Sequence, residues 1–541
     1  MSPSESTPSE LAAEILRLTR RHAALVHDKN RPAEARQEAF VPGQTVVPYS
    51  GRVFEAEEVE AAVRSSLEFW LTLGREGDAM EQELAVELGV RRSILVNSGS
   101  SANLLAVAAL TSAKLPPEKR FMPGDEVITC AAGFPTTVAP IVQQGLVPVF
   151  IDNDPVTGNA DCAQLAAAFQ PGRTKAVMMA HALGNPFDLA AVTAFCREHN
   201  LWLIEDNCDA LGCTYSMPVE KAKRLGLDHL LKIAEAGVHP LIRFEPAKGS
   251  ELSTFTPQRL TAPTGSFGDL STQSFYPPHH ITMGEGGAVN VVRDMRFKVI
   301  VESFRDWGRD CWCASGVDNT CGKRFNWQLG ELPEGYDHKY IYSHLGYNLK
   351  PLDGQAAIGR VQLKRLAAFG AARRRNWQRL RAGLASLENY FEFSLPTHAT
   401  KWREQSGFSS QPSALNAQLP TFEWDSTGYS TDPSWFGFML LVRDDAPFTA
   451  SQLTRHLDDS RIGCRRLFGG NLTRQPAFVQ LRRDNPSAFR VVGDLRGADR
   501  LMQSALFVGV FPGLTNEMLD YVIATIGDFC RSSARGRSTP S

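Results

Sequence analysis

The chain has 541 residues and a mass of 59.5 kDa, enough for one large domain with a sizeable core and a smaller companion. Fifty-seven Lys and Arg against 59 Asp and Glu leave a net charge of −2, which gives no field of one sign for nucleic acid or an anionic membrane. Hydrophobic residues make up 43% of the chain and mean hydropathy is −0.21, with no run near the ~18 apolar residues that a membrane helix requires.

Residues 1–44 are predicted to form an N-terminal arm with one short amphipathic helix, LAAEILRLTRRHAALV. The first thirty residues lack the apolar core of a signal peptide, so the expected setting is cytoplasmic and reducing. From Ser93, short β-branched runs alternate with helical patterns: SILVN, DEVITC, VPVFID, KAVMMAH and LWLIED are each followed by a helix pattern or, for the last, a break. That rhythm predicts an α/β fold with a mostly parallel central sheet flanked by helices, over residues 45–365. Residues 215–265 mix a helical piece with a Pro/Thr/Ser-rich stretch and read as a surface insertion. Strand-like sequence resumes at DLSTQSFYP and GGAVNVVRD. The long helix pattern from PLDGQAAIG leads into a smaller C-terminal α+β domain, residues 366–530. Within it, His398 to Thr431 reads as a second loose loop, and 531–541 as a disordered tail.

Three segments carry candidate chemistry. In Asn97-Ser98-Gly99-Ser100-Ser101-Ala102-Asn103, between a predicted strand and helix, the Gly99 and Ser100 backbone suits a phosphate at the positive end of a helix; the plainer alternative is a tight turn. Asp206 ends the strand LWLIED, where ligands of parallel sheets bind. It could keep a heteroaromatic ring nitrogen protonated, as a pyridinium electron sink requires, or it could be a helix cap. The third segment is Ser274-Phe275-Tyr276-Pro277-Pro278-His279-His280-Ile281-Thr282-Met283-Gly284-Glu285-Gly286-Gly287.

In order and spacing, SGSSA, the strand-final ED and SFYPPHHITMGEGG resemble the pyridoxal-phosphate-dependent sugar aminotransferases of the aspartate aminotransferase fold, PLP fold type I. In that family the Schiff-base lysine stands six residues before the Glu of EGG; here the position is His279. A lysine would hold pyridoxal phosphate covalently. An imidazole cannot, but it is a base near neutral pH, so the resemblance implies noncovalent pyridoxamine phosphate and loss of a sugar hydroxyl without amination. Longer segments, among them GFPTTV, AHALGN, EDNCDALG, ESFRDWGRDCWC, NTCGKRF, YDHKYIYSHLGYNLK and GNLTRQP, resemble one branch of the family across residues 45–525. That branch comprises the [2Fe–2S] dehydrases that act on CDP-6-deoxy-4-ketoglucose in 3,6-dideoxyhexose synthesis for lipopolysaccharide.

Ten cysteines are a small fraction, but Cys311, Cys313 and Cys321 fall within eleven residues. A [2Fe–2S] cluster needs four thiolates, and the resemblance supplies the fourth as Cys208. Structural zinc is the competing use, and Cys213 is a possible substitute ligand. The resemblance further implies that Phe134 stacks on the cofactor ring, that Ser274 reaches its phosphate, and that Asn348 reaches the cofactor of a neighbouring subunit in a homodimer. It places Asp209 and Tyr276 beside His279 as catalytic residues and makes Arg474 a contact for the nucleotide sugar. The expectation is therefore a dehydrase fed by a flavin or iron–sulfur reductase. The alternatives are a cluster-free ketosugar 3-dehydratase of the same fold and a non-catalytic, zinc-stabilised sugar-binding member.

Overall fold

The computed structural model describes residues 7–246, 258–313, 316–403 and 421–535. Ten strands form in the first part of the chain: β1 (Arg92–Val96), β2 (Glu126–Cys130), β3 (Val147–Ile151), β4 (Thr174–Ala180), β5 (Trp202–Asp206), β6 (Thr214–Pro218), β7 (Arg243–Pro246), β8 (Gln258–Pro263), β9 (Leu270–Ser274) and β10 (Gly287–Val291). The second part adds β11 (Phe391–Phe393), β12 (Ala399–Arg403), β13 (Thr421–Trp424), β14 (Ser430–Asp432), β15 (Gly437–Val442), β16 (Cys464–Arg466), β17 (Arg490–Val491) and β18 (Ala505–Gly509).

The central sheet runs β1-β10-β9-β5-β4-β2-β3-β17. It is parallel from β9 to β17, and β10 is antiparallel to both of its neighbours. Its strands are buried nearly end to end, as a sheet covered on both faces demands, which is why they read as continuous apolar runs. Two reversals around β10 leave β1 pointing the same way as β9 and β5. The carboxyl ends of β1, β5 and β9 therefore share one edge, and the three motif segments begin there.

A smaller antiparallel sheet, β11-β15-β18-β16, packs against the helix Ala450–Asp459, which in turn meets the helix Asn516–Arg535. The helix Asp353–Gly383 runs through residue 365, where the sequence placed a domain boundary, and packs on elements of both parts. Among its neighbours is Trp435, whose ring stacks on Trp377 at 4.7 Å.

Three expectations need correction. Residues 215–246 and 258–265 are not a loose excursion: β6, β7 and β8 join β14 in an antiparallel sheet, and Tyr215, Leu230, Leu231 and Leu260 are buried in the core beneath it; residues 247–257 lie outside the described residues. The segment His398 to Thr431 contributes the β12–β13 hairpin and the start of β14; polar composition hid it because both partners are short and one face is exposed. The intervening residues 404–420 lie outside the described residues. The C-terminal helix continues to Arg535, into the stretch expected to be a disordered tail, because the apolar face that buries Ile526 and Cys530 extends the helical period; residues 536–541 lie outside the described set. Among the described residues, no helix is long and apolar enough to cross a membrane.

Candidate active site

The helix Gly99–Ala109 starts directly after β1. Ser98 caps it, its Oγ accepting from Ser101 N at 3.1 Å. The Ala102 N–H goes to Ser98 O, and among the described residues the N–H groups of Gly99 and Ser100 take no acceptor. Ser274, at the end of β9, sits against this turn. A Cβ built on Gly99 would lie 2.4 Å from Ser274 Cβ and 2.8 Å from its Oγ, so only glycine allows the approach. Gly287 of the EGG motif is required for the same reason, since a Cβ there would meet Ser98 O at 2.5 Å. Two free N–H groups and one hydroxyl thus form a cradle of the size and polarity of a phosphate.

Across the edge, Asp206 is buried at the end of β5 and accepts from Thr137 Oγ1 (2.7 Å), Asn103 Nδ2 (2.8 Å) and Cys208 N (3.2 Å). Asn103 Oδ1 in turn accepts from Thr272 Oγ1 at 2.7 Å, which fixes the amide and hence the carboxylate. The sequence motif ended on Asn103 but gave it no role, and Thr137 was not singled out. Asn103 is one helical turn past Gly99 on the face toward β5, a spacing that could have suggested it. The preceding Glu205 plays another part, accepting from the N–H groups of Gly265, Phe267 and Gly268 and closing the turn before β9. Of the ED pair, only the aspartate reaches the site.

His279 Nε2 lies 3.5 Å from Asp209 Oδ1. Its Nδ1 is buried and has no partner among the described residues, an atom available to a ligand. Burial lowers the imidazole from its ordinary 6.5 to about 4, so it stands neutral at physiological pH. Burial, and then the Asp206 carboxylate, push Asp209 up to about 8. The Tyr276 ring stands edge-on to His279 at 6.2 Å, and Phe436 closes the other side at 5.7 Å. Phe134, at the start of the helix Pro135–Gln143, is 52% exposed at the cleft and meets only Phe468 edge-on at 6.1 Å among described rings. A half-bare aromatic beside a phosphate cradle and a strand-final carboxylate has the shape of a seat for a pyridine ring. The residues present fit a pyridoxal-type cofactor.

Two other expected contacts lie apart from this group. Asn348 is exposed and accepts from Lys350 Nζ at 2.7 Å. Arg474 Nε is bonded to Asp499 Oδ1 at 2.5 Å and borders a hollow of about 530 Å³ lined also by Thr473, Val479, Arg482 and Arg483. The segment leading to it abuts the cofactor side, since Leu472 N donates to Ala131 O and Gly469 N to Gly133 O.

The cysteines are only partly gathered. Cys313 N donates to Cys311 Sγ at 3.4 Å, Thr320 Oγ1 to Cys313 Sγ at 3.0 Å, and Cys321 Sγ lies 3.9 Å from His338 Nδ1. Cys208 is instead under the phosphate turn, where a Cβ on Gly99 would lie 3.2 Å from its Sγ; burial and the Asp206 charge hold it well above the usual thiol range. Among the described residues, no three of His, Cys, Asp and Glu are arranged to hold a metal ion. As they stand, the four thiols are not drawn into one group of metal ligands. The reason lies in the fold: Cys208 follows a strand of the central sheet, while the other three sit on a loop after the helix Arg296–Arg305.

A family model described as DegT/DnrJ/EryC1/StrS aminotransferase matches residues 53–419 and 413–527. The lipopolysaccharide biosynthesis protein RfbH of Salmonella typhimurium is 44% identical over 490 residues, 91% of this chain and 93% of that protein. The dTDP-4-dehydro-2,6-dideoxy-D-glucose 3-dehydratase of Saccharopolyspora spinosa is 44% identical over 511 residues, 94% and 92% of the two chains. Among solved structures, the E. coli GDP-4-keto-6-deoxy-D-mannose-3-dehydratase with bound hydrated PLP aligns at a TM-score of 0.64 and 22% identity, covering 89% of this chain and 100% of that one. That likeness establishes the fold: the mixed central sheet with its flanking helices is the α/β arrangement of PLP fold type I.

Proposed function

The chain belongs to the DegT/DnrJ/EryC1/StrS aminotransferase family, and on that premise we propose that it is a pyridoxamine-phosphate-dependent 3-dehydratase of a nucleotide-linked 4-keto-6-deoxyhexose. The single observation that carries the reading is His279: a neutral, half-buried imidazole with an unpaired Nδ1 stands at the position that the motif matches to the lysine of the family's aminotransferases. Without that amine the cofactor is held by contacts alone. When bound, pyridoxamine phosphate supplies the amine that captures the ketosugar and the ring that accepts electrons. Gly99, Ser100 and Ser274 would hold its phosphate, Phe134 its ring face, and Asp206 the proton on its ring nitrogen. His279 would accept the proton that the cofactor's methylene carbon gives up and would hand it to the departing C3 hydroxyl, which leaves as water. Asp209, protonated at neutral pH, and Tyr276 flank His279 and orient it.

The sugar's nucleotide is read as CDP from the resemblance of the motifs, and Arg474 with its hollow is its proposed contact. The relatives' names carry dTDP and GDP sugars, so parallel assays with CDP-, dTDP- and GDP-linked substrates decide the point. Asn348 would reach the cofactor of a second copy in a homodimer. The exposed Phe69, Trp70, Trp307, Tyr342 and Leu345, whose burial by a partner would be favourable, support that arrangement, which sedimentation tests.

For the cysteines, the fuller reading is that Cys311, Cys313, Cys321 and Cys208 take up a [2Fe–2S] cluster served by a separate reductase, so that dehydration ends in deoxygenation. Since the thiols are not gathered, loading would have to draw their loop and Cys208 together. The second reading is the cluster-free dehydratase. Iron and acid-labile sulfide per chain after anaerobic purification distinguish the two: near two of each supports the cluster, and none, with dehydration intact in Cys311→Ser/Cys313→Ser, supports the cluster-free enzyme. Loss of ketosugar-dependent dehydration in His279→Asn, with cofactor still bound, is the result the central proposal requires.

A further inference from the structure

Arg373 is a guanidinium with 1% of its surface exposed, on the helix Asp353–Gly383. Its Nη2 donates to the backbone O of His279 at 2.9 Å and its Nη1 to the backbone O of Trp435 at 3.3 Å. Its Nε has no acceptor among the described residues. It shares a narrow crevice with His279, Gln362, Phe369 and Pro512, directly beneath the catalytic segment. The residue after Trp435 is Phe436, whose ring flanks the His279 imidazole, and Trp435 itself stacks on Trp377 one turn along the same helix. One side chain therefore ties the peptide that carries the imidazole to the peptide that walls it.

Stability alone does not account for this arrangement. Taking a guanidinium out of water costs several kcal/mol, and two neutral carbonyls recover only part of it; apolar replacements of buried ions are often neutral or stabilising. The groups facing His279 are Asp209 and Asp206 from the end of β5, Tyr276 and His280 from its own segment, and Arg373 from the helix. Arg373 is the fixed positive charge among them. It disfavours a proton on His279.

We infer that Arg373 is a positioning residue of the His279 site, fixing the peptide that bears the imidazole and setting the field in which that imidazole exchanges its proton. The inference rests on the proposed role of His279, but half of its test does not require turnover. In protein labelled at histidine Cε1, the His279 resonance, assigned by its absence in His279→Asn, is titrated by NMR in wild type, Arg373→Met and Arg373→Lys. Loss of the charge in Arg373→Met should raise the His279 midpoint by ~1 pH unit, whereas Arg373→Lys, which keeps the charge without the fork, should leave it near wild type. With pyridoxamine phosphate and ketosugar, both variants should lose ~10-fold or more in kcat at a KM within ~3-fold of wild type, the split expected when an aligned group shifts and binding does not. An unmoved midpoint in Arg373→Met, or wild-type kcat in both variants, overturns the inference. Should Arg373→Met precipitate, Arg373→Gln carries the same titration. If wild type itself shows no dehydration, the proposed function fails while the titration still decides the electrostatic role.

Discussion

Gly99→Ala is the sharpest probe of the cofactor cradle. The new methyl would lie 2.4 Å from Ser274 Cβ, 2.8 Å from its Oγ and 3.2 Å from Cys208 Sγ. Ordinary carbon contacts need ~3.5–4.0 Å, so the Gly99 turn and the end of β9 must separate by about 1 Å. Cβ of Ser274 is fixed to the backbone and cannot swing aside. Overpacking of this kind costs about 1–3 kcal/mol, and the same displacement spoils the geometry between the Gly99 and Ser100 N–H groups and the Ser274 hydroxyl. If the cost falls on the bound form, the Kd for pyridoxamine phosphate rises roughly 5- to 150-fold. The assay is equilibrium titration of apoprotein with pyridoxamine phosphate, followed by its absorbance, with thermal melting to locate the cost. Gly133→Ala is the control, since a Cβ there meets nothing within 4 Å. Wild-type affinity and an unchanged melting temperature in Gly99→Ala would refute the cradle as described.

Asp206→Asn keeps the shape of the Asn103–Thr137 network but removes the charge that faces a ring nitrogen; cofactor affinity should fall ~10- to 100-fold, while inorganic phosphate, which needs only the cradle, should compete with the cofactor as in wild type. For His279, burial lowers the folded value from 6.5 to about 4, so between those limits the unfolded chain binds more protons. The stability contributed by keeping it neutral is complete above pH 6.5 and is lost as pH falls toward 4. His279→Asn should therefore flatten the decline of Tm across that interval, and an equally steep decline in both proteins would count against a neutral buried imidazole. Pyridoxal phosphate added to His279→Lys should become reducible onto the chain by borohydride; failure to trap it there would mean that position 279 does not face the cofactor.

Seven of the eight strands of the central sheet were legible, most of them as the apolar runs that burial on both faces demands, whereas β17, two residues long and half-buried, was not. Gly99 and Asp206 were legible for a different reason, since each stands just beyond or at the end of such a strand, where a parallel sheet presents its ligands, whereas Ser274 and His279 were reached through the motif's resemblance to the family. What escaped depends on distance along the chain. The roles of Asn103 and Thr137 run through Asp206, far from both in sequence, and Arg373 looks from sequence like one more cation in the run ARRRNWQRLR. The insertion hid its sheet because β6 finds its outer partner in β14, over two hundred residues later. Spacing described the cysteine trio well, yet spacing carries no information on how far a strand end such as Cys208 stands from a distant loop.

The edge strand β17 has a consequence for the order in which the protein can be made. Residues 490 and 491 pair with β3 at 149 and 150, and Arg490 reaches on to the Glu126 carboxylate at 2.8 Å. Until the ribosome has passed that point, the edge of β3 has no neighbour, although the strands inside it can already pair. At ~5–20 residues per second the wait is on the order of 20–70 s, during which an apolar parallel edge is open to other nascent chains. A C-terminally truncated product would retain the whole cofactor cradle and yet carry a permanently adhesive rim. Overexpression yield should therefore depend on chaperone supply more steeply than the melting temperature of the finished protein would suggest.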